Sequence, residues 1–171
     1  MPDPATHPPA SPAPPDEPAA PAVRWLTADE QQAWRSILRG TRHLFARIDQ
    51  DLKPLGLTGE DYGVLVTLSE ADGRRLRMAE LAATSAQSRS RLSHHIGRLE
   101  ARGLVVRETC EEDRRGQFAT LTPAGYELLT EAAPHHVAGV RAHLLDHLSP
   151  EELATVGRVF GELDPVAPDC S

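Results

Sequence analysis

Cysteine and lysine are scarce in this 171-residue chain, and long apolar runs are missing altogether. The two cysteines, Cys110 and Cys170, stand far apart and form neither a disulfide framework nor a CxxC metal pattern. Cys110 adjoins Glu111 and Glu112, whose negative charge disfavours a thiolate, so a reactive thiol is not expected there. No apolar stretch approaches the roughly 20 residues needed to span a bilayer. The start of the chain lacks the basic and apolar regions of a signal peptide, so a soluble, cytoplasmic protein is expected. A Gly-rich phosphate loop, a nucleophile elbow and a paired-carboxylate constellation are absent too. The reading is therefore of a protein with no catalytic residues and no cofactor.

What is present is unevenly spread. Nine of the fifteen prolines lie in the first 21 residues, among alanine, serine and threonine. Such a segment buries too little surface to offset its ordering entropy, so residues 1–24 read as a disordered, partly polyproline-like tail. Residues 165–171 read as a second, short tail. The segment between is long enough for one core and too short for two ordinary domains.

Charge is uneven as well. The net charge is −7, which taken globally argues against a polyanionic partner. Between Gly73 and Gly116, however, ten arginines face six acids, for a local charge of +4, while the remainder carries −11. Lys53 is the lone lysine, so the positive charge is almost wholly guanidinium. A basic patch on an acidic body is an electrostatic footprint suited to a phosphate backbone.

Periodicity predicts a mainly helical chain with one small hairpin, an α+β arrangement. Thr27-Ala28-Asp29-Glu30 is a capping box, followed by an apolar stripe from Trp34 to Leu52 at helical spacing. Thr58 caps a second helix over about 59–71. A short extended piece surrounds Leu76, and a third helix covers roughly 78–84. A fourth runs from about Ser88 to Arg102 and stops at Gly103, suited to a left-handed cap. The segments 104–109 and 118–121 read as strands joined by a polar turn, hence a hairpin. Thr122-Pro123 opens another helix carrying Leu128, Leu129, Val137, Val140, Leu144 and Leu145, which Pro134 is expected to kink or break. Ser149-Pro150-Glu151-Glu152 opens the last. A short helix, a turn, a longer helix and a basic hairpin make a winged helix-turn-helix, whose second helix enters the major groove of DNA.

Advancing 100° per residue along the fourth helix puts Leu92, Ile96, Leu99, His95 and Ser88 on the inner side. Ser90, His94, Gly97 and Ala101 lie opposite, flanked by Ser93 and by Arg91 and Arg98. Small hydroxyls, an imidazole and arginines can approach base edges and donate hydrogen bonds. Arg89, in the first turn, is placed for a phosphate or a base. Ser88, Arg89, Ser90, Arg91, Ser93, His94 and Arg98 are thus candidate DNA contacts, whereas His95 reads as a satisfied, half-buried histidine.

At the hairpin, Asp113-Arg114-Arg115-Gly116-Gln117-Phe118-Ala119-Thr120-Leu121-Thr122-Pro123-Ala124-Gly125 resembles the D-x-R-x5-L-T-x2-G signature of the MarR-type regulators. Glu80-Leu81-Ala82 and the segment from Arg98 to Val105 resemble that family's helix-turn-helix entry and exit. The resemblance covers roughly 27–164, with the winged core at 58–122 and flanking dimerisation helices at 27–53 and 123–164. It implies a transcriptional regulator, more readily a repressor, that binds a palindromic operator as a homodimer. Asp113, Arg114 and Arg115 join the candidate DNA contacts: the aspartate can brace the turn, and Arg115 takes the wing-tip role in the minor groove. The apolar residues of the terminal helices independently exceed what a small winged domain alone could cover. Family members commonly release DNA when a small aromatic or phenolic acid enters a cleft beside the dimer helices, and Trp34, His43, Arg47 and Tyr62 are candidates to line one. Some relatives sense zinc. His143 and His147 stand four residues apart with His135, His136 and Asp146 nearby, but no full ligand set is apparent, and a zinc-responsive regulator stays an alternative. Others sense peroxides through a cysteine near the first helix, which this chain lacks. A winged helix serving only as a protein-interaction module is the remaining alternative, and it would not require ten arginines around the helix and hairpin.

Overall fold

The computed structural model describes residues 23–109 and 117–163. They fall into two units, one reaching Ser36 and the other starting at Ile37. In the first unit Thr27 and Glu30 close a reciprocal cap at the start of helix α1 (Ala28–Leu52), at 2.7 Å and 3.2 Å. The Thr27 N–H holds the Glu30 carboxyl below the usual carboxylate range. Trp25 and Trp34 are exposed there.

The second unit contains the rest of α1, then α2 (Gly59–Glu70), strand β1 (Arg75–Arg77), α3 (Met78–Thr84), α4 (Arg89–Ala101), the hairpin strands β2 (Val105–Thr109) and β3 (Gln117–Leu121), α5 (Pro123–His143) and α6 (Pro150–Leu163). The sheet is antiparallel in the order β1-β3-β2, so the extended piece around Leu76 is the third strand of the hairpin's own sheet. Its core is aliphatic: Leu52, Leu65, Leu68, Leu81, Leu92, Ile96 and Leu99 are each fully buried. Burying a side chain of that size contributes about 1.5–3 kcal/mol. The core thus clamps α2, α3 and α4 to one another, and this fixes the direction in which α4 projects.

Caps decide where the helices begin. Thr58 accepts from the Asp61 N–H at 3.1 Å while Asp61 accepts from the Thr58 N–H at 3.0 Å. Ser149 and Glu152 repeat the arrangement ahead of α6. Gly103 ends α4 at φ 72°, the left-handed value expected of it.

Two expectations are corrected. The helix is not broken at Pro134: α5 continues through it to His143. Pro134 lies on the exposed side, as does Thr130, whose carbonyl loses its helical donor, while Leu129 and Ala132 bury the other side. The helix instead ends at His143, so Leu144 lies beyond it and Leu145 and His147 sit in a separate 3-10 turn, Leu145–His147. His143 and His147 therefore do not share one helix face.

Candidate nucleic-acid interface

The turn between α3 and α4 sets up the site. The N–H groups of Ser85, Ala86 and Gln87 donate back to Leu81, Ala83 and Ala82, and Ala86 takes φ 49° to make the reversal. Ser88 then caps α4, its hydroxyl accepting from the Arg91 N–H at 3.2 Å. The helical wheel had turned Ser88 inward; as the cap it is exposed instead. From that start Leu92, His95, Ile96 and Leu99 are buried, while Arg89, Ser90, Arg91, Ser93, His94 and Arg98 are exposed along the opposite side.

Polar contacts on two flanks hold the helix in this rotation. His95 is fully buried, and its Nε2 stands 2.7 Å from Asp61 Oδ1 on α2. Burial opposes ionisation of Asp61, but the hydrogen bonds from His95 and from the N–H and hydroxyl of Thr58 outweigh it and hold the carboxyl at about 2. Nδ1 of His95 faces Gln87 Nε2 at 3.4 Å, so the turn is tied to the same ring. On the other flank, Arg107 of β2 lays its guanidinium beside Gly97 and donates to the Ser93 carbonyl at 2.6 Å. Its own N–H donates to Glu100 at 3.2 Å. A side chain at Gly97 would press on that guanidinium.

The described arginines of this segment therefore divide by role. Arg107 and Arg102, which donates to the Gly56 carbonyl at 2.8 Å, brace the fold. Arg91 stands 2.5 Å from Glu60 at the start of α2. Among the described residues, Arg89 and Arg98 form no ion pair. Sequence reasoning missed Asp61, Glu60 and Arg107. Nothing around Asp61 in the sequence marks it, and no local pattern reveals a partner 34 positions away. Asp113, Arg114, Arg115 and Cys110 lie outside the described residues, as do Cys170 and nearly all of the proline-rich tail.

The signature that follows the hairpin has a visible purpose. The Thr122 hydroxyl donates to the Gly103 carbonyl at 2.7 Å and accepts from the Gly125 N–H at 3.0 Å. A Cβ at Gly125 would overlap the Leu104 carbonyl oxygen. Thr122 and Gly125 thus seat α5 against the exit of α4 and the root of the hairpin.

Of the candidate ligand residues, His43 and Arg47 line one cavity of about 440 Å³ with Gly40, Leu44 and His143. Tyr62 does not line it. Its ring is buried and stacks on His136 with centroids 4.1 Å apart, and burial raises its phenol above the ordinary value. Trp34 belongs to the first unit. Burial lowers His136 below the usual imidazole value. His143 pairs with Asp51 at 2.8 Å and His147 with the Ala142 carbonyl at 3.0 Å. Among the described residues, no three His, Cys, Asp or Glu side chains gather as a metal site would require. None of the described helices is long and apolar enough to cross a membrane.

A family model described as MarR family matches residues 55–116. AbsC, a MarR family transcriptional regulator from Streptomyces coelicolor, is 50% identical with a TM-score of 0.78, over 82% of this chain and 95% of its own. Sco3205, a MarR family transcriptional regulator from the same organism solved in complex with DNA, is 44% identical with a TM-score of 0.79, over 85% of this chain and 96% of its own. A MarR variant from E. coli, complexed with operator DNA, shares the fold at 22% identity and a TM-score of 0.71, over 78% and 94% of the two chains.

Proposed function

The chain belongs to the MarR family of transcriptional regulators, DNA-binding proteins and not enzymes, and from that membership we propose that it is a homodimeric repressor of a near-palindromic operator, relieved by a small aromatic or phenolic acid. The observation that carries the DNA-reading part is the exposed side of α4. Arginine, serine and histidine side chains dominate it, with only the small residues Gly97 and Ala101 between them, on a helix whose other side is locked into the core. Serines and an imidazole fit base edges, and arginine pairs bidentately with guanine. We assign Arg115 to the narrow minor groove beside it, with Asp113 and Arg114 at the same turn. That Sco3205 was solved with DNA supports the reading.

Dimerisation rests on surplus apolar surface. In the second unit Ile37, Leu38 and Phe45 of α1 and Leu153, Val159, Phe160 and Leu163 of α6 are exposed, and no residue of α6 is buried. Apolar patches of that kind mark association surfaces. A two-fold pair would set its α4 helices about 34 Å apart, one turn of the duplex. The effector reading rests on the cavity lined by His43 and Arg47, where a guanidinium suits a carboxylate. A cytoplasmic location follows from the role.

A gel shift against the DNA upstream of the protein's own gene tests the function. We expect a discrete complex that survives excess unrelated duplex and is released by a phenolic acid. Equal displacement by any duplex would overturn sequence specificity.

A further inference from the structure

The outer face of the sheet carries a cationic cluster that α4 does not use. Strand β1 forms the edge opposite β2, with Arg75 registered to Thr120 and Arg77 to Phe118. Alternate residues of a strand point to opposite faces. Leu76 and Ala119 turn inward, so Arg75, Arg77 and Phe118 share the face away from α4. There the guanidinium carbons of Arg75 and Arg77 stand 3.8 Å and 5.0 Å from the centroid of the Phe118 ring, so two cations hold one aromatic side chain. Immediately upstream, Arg74 lies over Tyr126 of α5 at 3.5 Å from its centroid. Arg74 does so at φ 56°, a left-handed conformation unfavourable for a residue with a side chain.

Stacking uses the flat face of a guanidinium and leaves N–H groups at its rim for an anion. It also restricts rotamers in advance, so less freedom remains to be lost on binding. Among the described residues of the sheet, one carboxylate shares this face. Glu108 lies 3.5 Å from Arg75 and accepts from Thr120, and it offsets part of the Arg75 charge. Arg77 sits toward the far end of the sheet, opposite Phe118, one residue from Gln117, where the described part of β3 begins.

We propose that Arg74, Arg75 and Arg77 form a second DNA-binding surface that grips the sugar-phosphate backbone outside the operator half-site. This rests on the reading that α4 enters the major groove and the hairpin the adjoining minor groove. With α4 on one side of the sheet, its opposite face meets the phosphate strand beyond that minor groove. The contact carries no base information; it lengthens the footprint and steepens the salt dependence.

The test uses the full chain and an operator selected in vitro, as a minimal duplex and as the same duplex with about one helical turn of arbitrary sequence on each side. Wild type is expected to bind the longer duplex more tightly. The double variant Arg75→Gln/Arg77→Gln should lose that advantage, about five- to tenfold, and stay within about twofold of wild type on the minimal duplex. Its log–log salt slope on the long duplex should be shallower by about 2 per protomer. Arg77→Gln alone, which leaves the Arg75 stack in place, should lower the slope by about 1 if the double variant does not fold. Equal losses on both lengths would make the arginines structural and overturn the proposal, as would a wild type indifferent to duplex length. A wild type that binds neither duplex would instead remove the operator reading beneath it.

Discussion

Arg91 already has a partner in the free protein: Glu60 stands 2.5 Å away, and both side chains are largely exposed. On the proposed reading of α4, a phosphate or base edge competes with a carboxylate for the same guanidinium. An exposed pair of this kind contributes about 0–1 kcal/mol, which as a binding penalty is a factor of up to about five. Glu60→Gln should tighten DNA binding by about two- to fivefold, more for unrelated duplex than for operator, as read by fluorescence anisotropy. The gain should vanish when Arg91 is alanine. A Glu60→Gln protein that binds more weakly would show that the carboxylate orients Arg91 rather than competing for it. Asp61 poses a different question, because its carboxyl sits at about 2 in the folded protein against an ordinary 3.8. A lowered carboxyl contributes stability that is complete above about pH 4 and lost as the pH falls through about 2, here on the order of 2 kcal/mol. Urea unfolding of Asp61→Asn should lack that pH-dependent portion. Parallel pH profiles for wild type and variant would refute the assignment.

Elements are where Thr122 and Gly125 matter. Replacing Gly125 with alanine drives a methyl into the Leu104 carbonyl and Leu121, and overpacking of this sort costs about 1–3 kcal/mol. The loss should appear in chemical denaturation, and DNA affinity should fall with it, because α5 would lift from the hairpin root. A fully stable Gly125→Ala protein would show that α5 docks by other contacts. Helix starts could be read in advance because capping is local: Thr27, Thr58, Thr122 and Ser149 each announce a helix within three residues. The exposed side of α4 was equally readable, since four apolar or satisfied positions at helical spacing fix its rotation. Pro134 misleads because the tertiary burial of Leu129 and Ala132 holds α5 together across it. The contacts of Asp61 with His95 and of Arg107 with Ser93 join different elements, and only the assembled fold reveals them. Tyr62 looked like a cleft residue for the same reason: nothing nearby in the chain announces its stacking on His136.

Over the whole molecule, a net charge of −7 coexists with a positive segment, so long-range attraction to DNA is weak and the local face must supply the affinity. The apolar residues left exposed on α6 belong to this scale too. Phe160→Asp should convert a dimer into monomers in light scattering and abolish tight operator binding, since one half-site loses its tethered neighbour. A dimer that survives the change would place the association surface elsewhere. Selection of bound duplexes from a random pool, by wild type and by Arg98→Ala side by side, interrogates the outward side of α4 most directly. Wild type should enrich a two-fold-symmetric sequence with half-sites about one turn apart, and the variant should lose preference at one position in each half-site, at a cost of roughly 1–3 kcal/mol. A pool that returns no common sequence from wild type, or an unchanged preference from Arg98→Ala with Arg91→Ala and His94→Ala equally silent, would contradict the assignment of α4 as the reading helix.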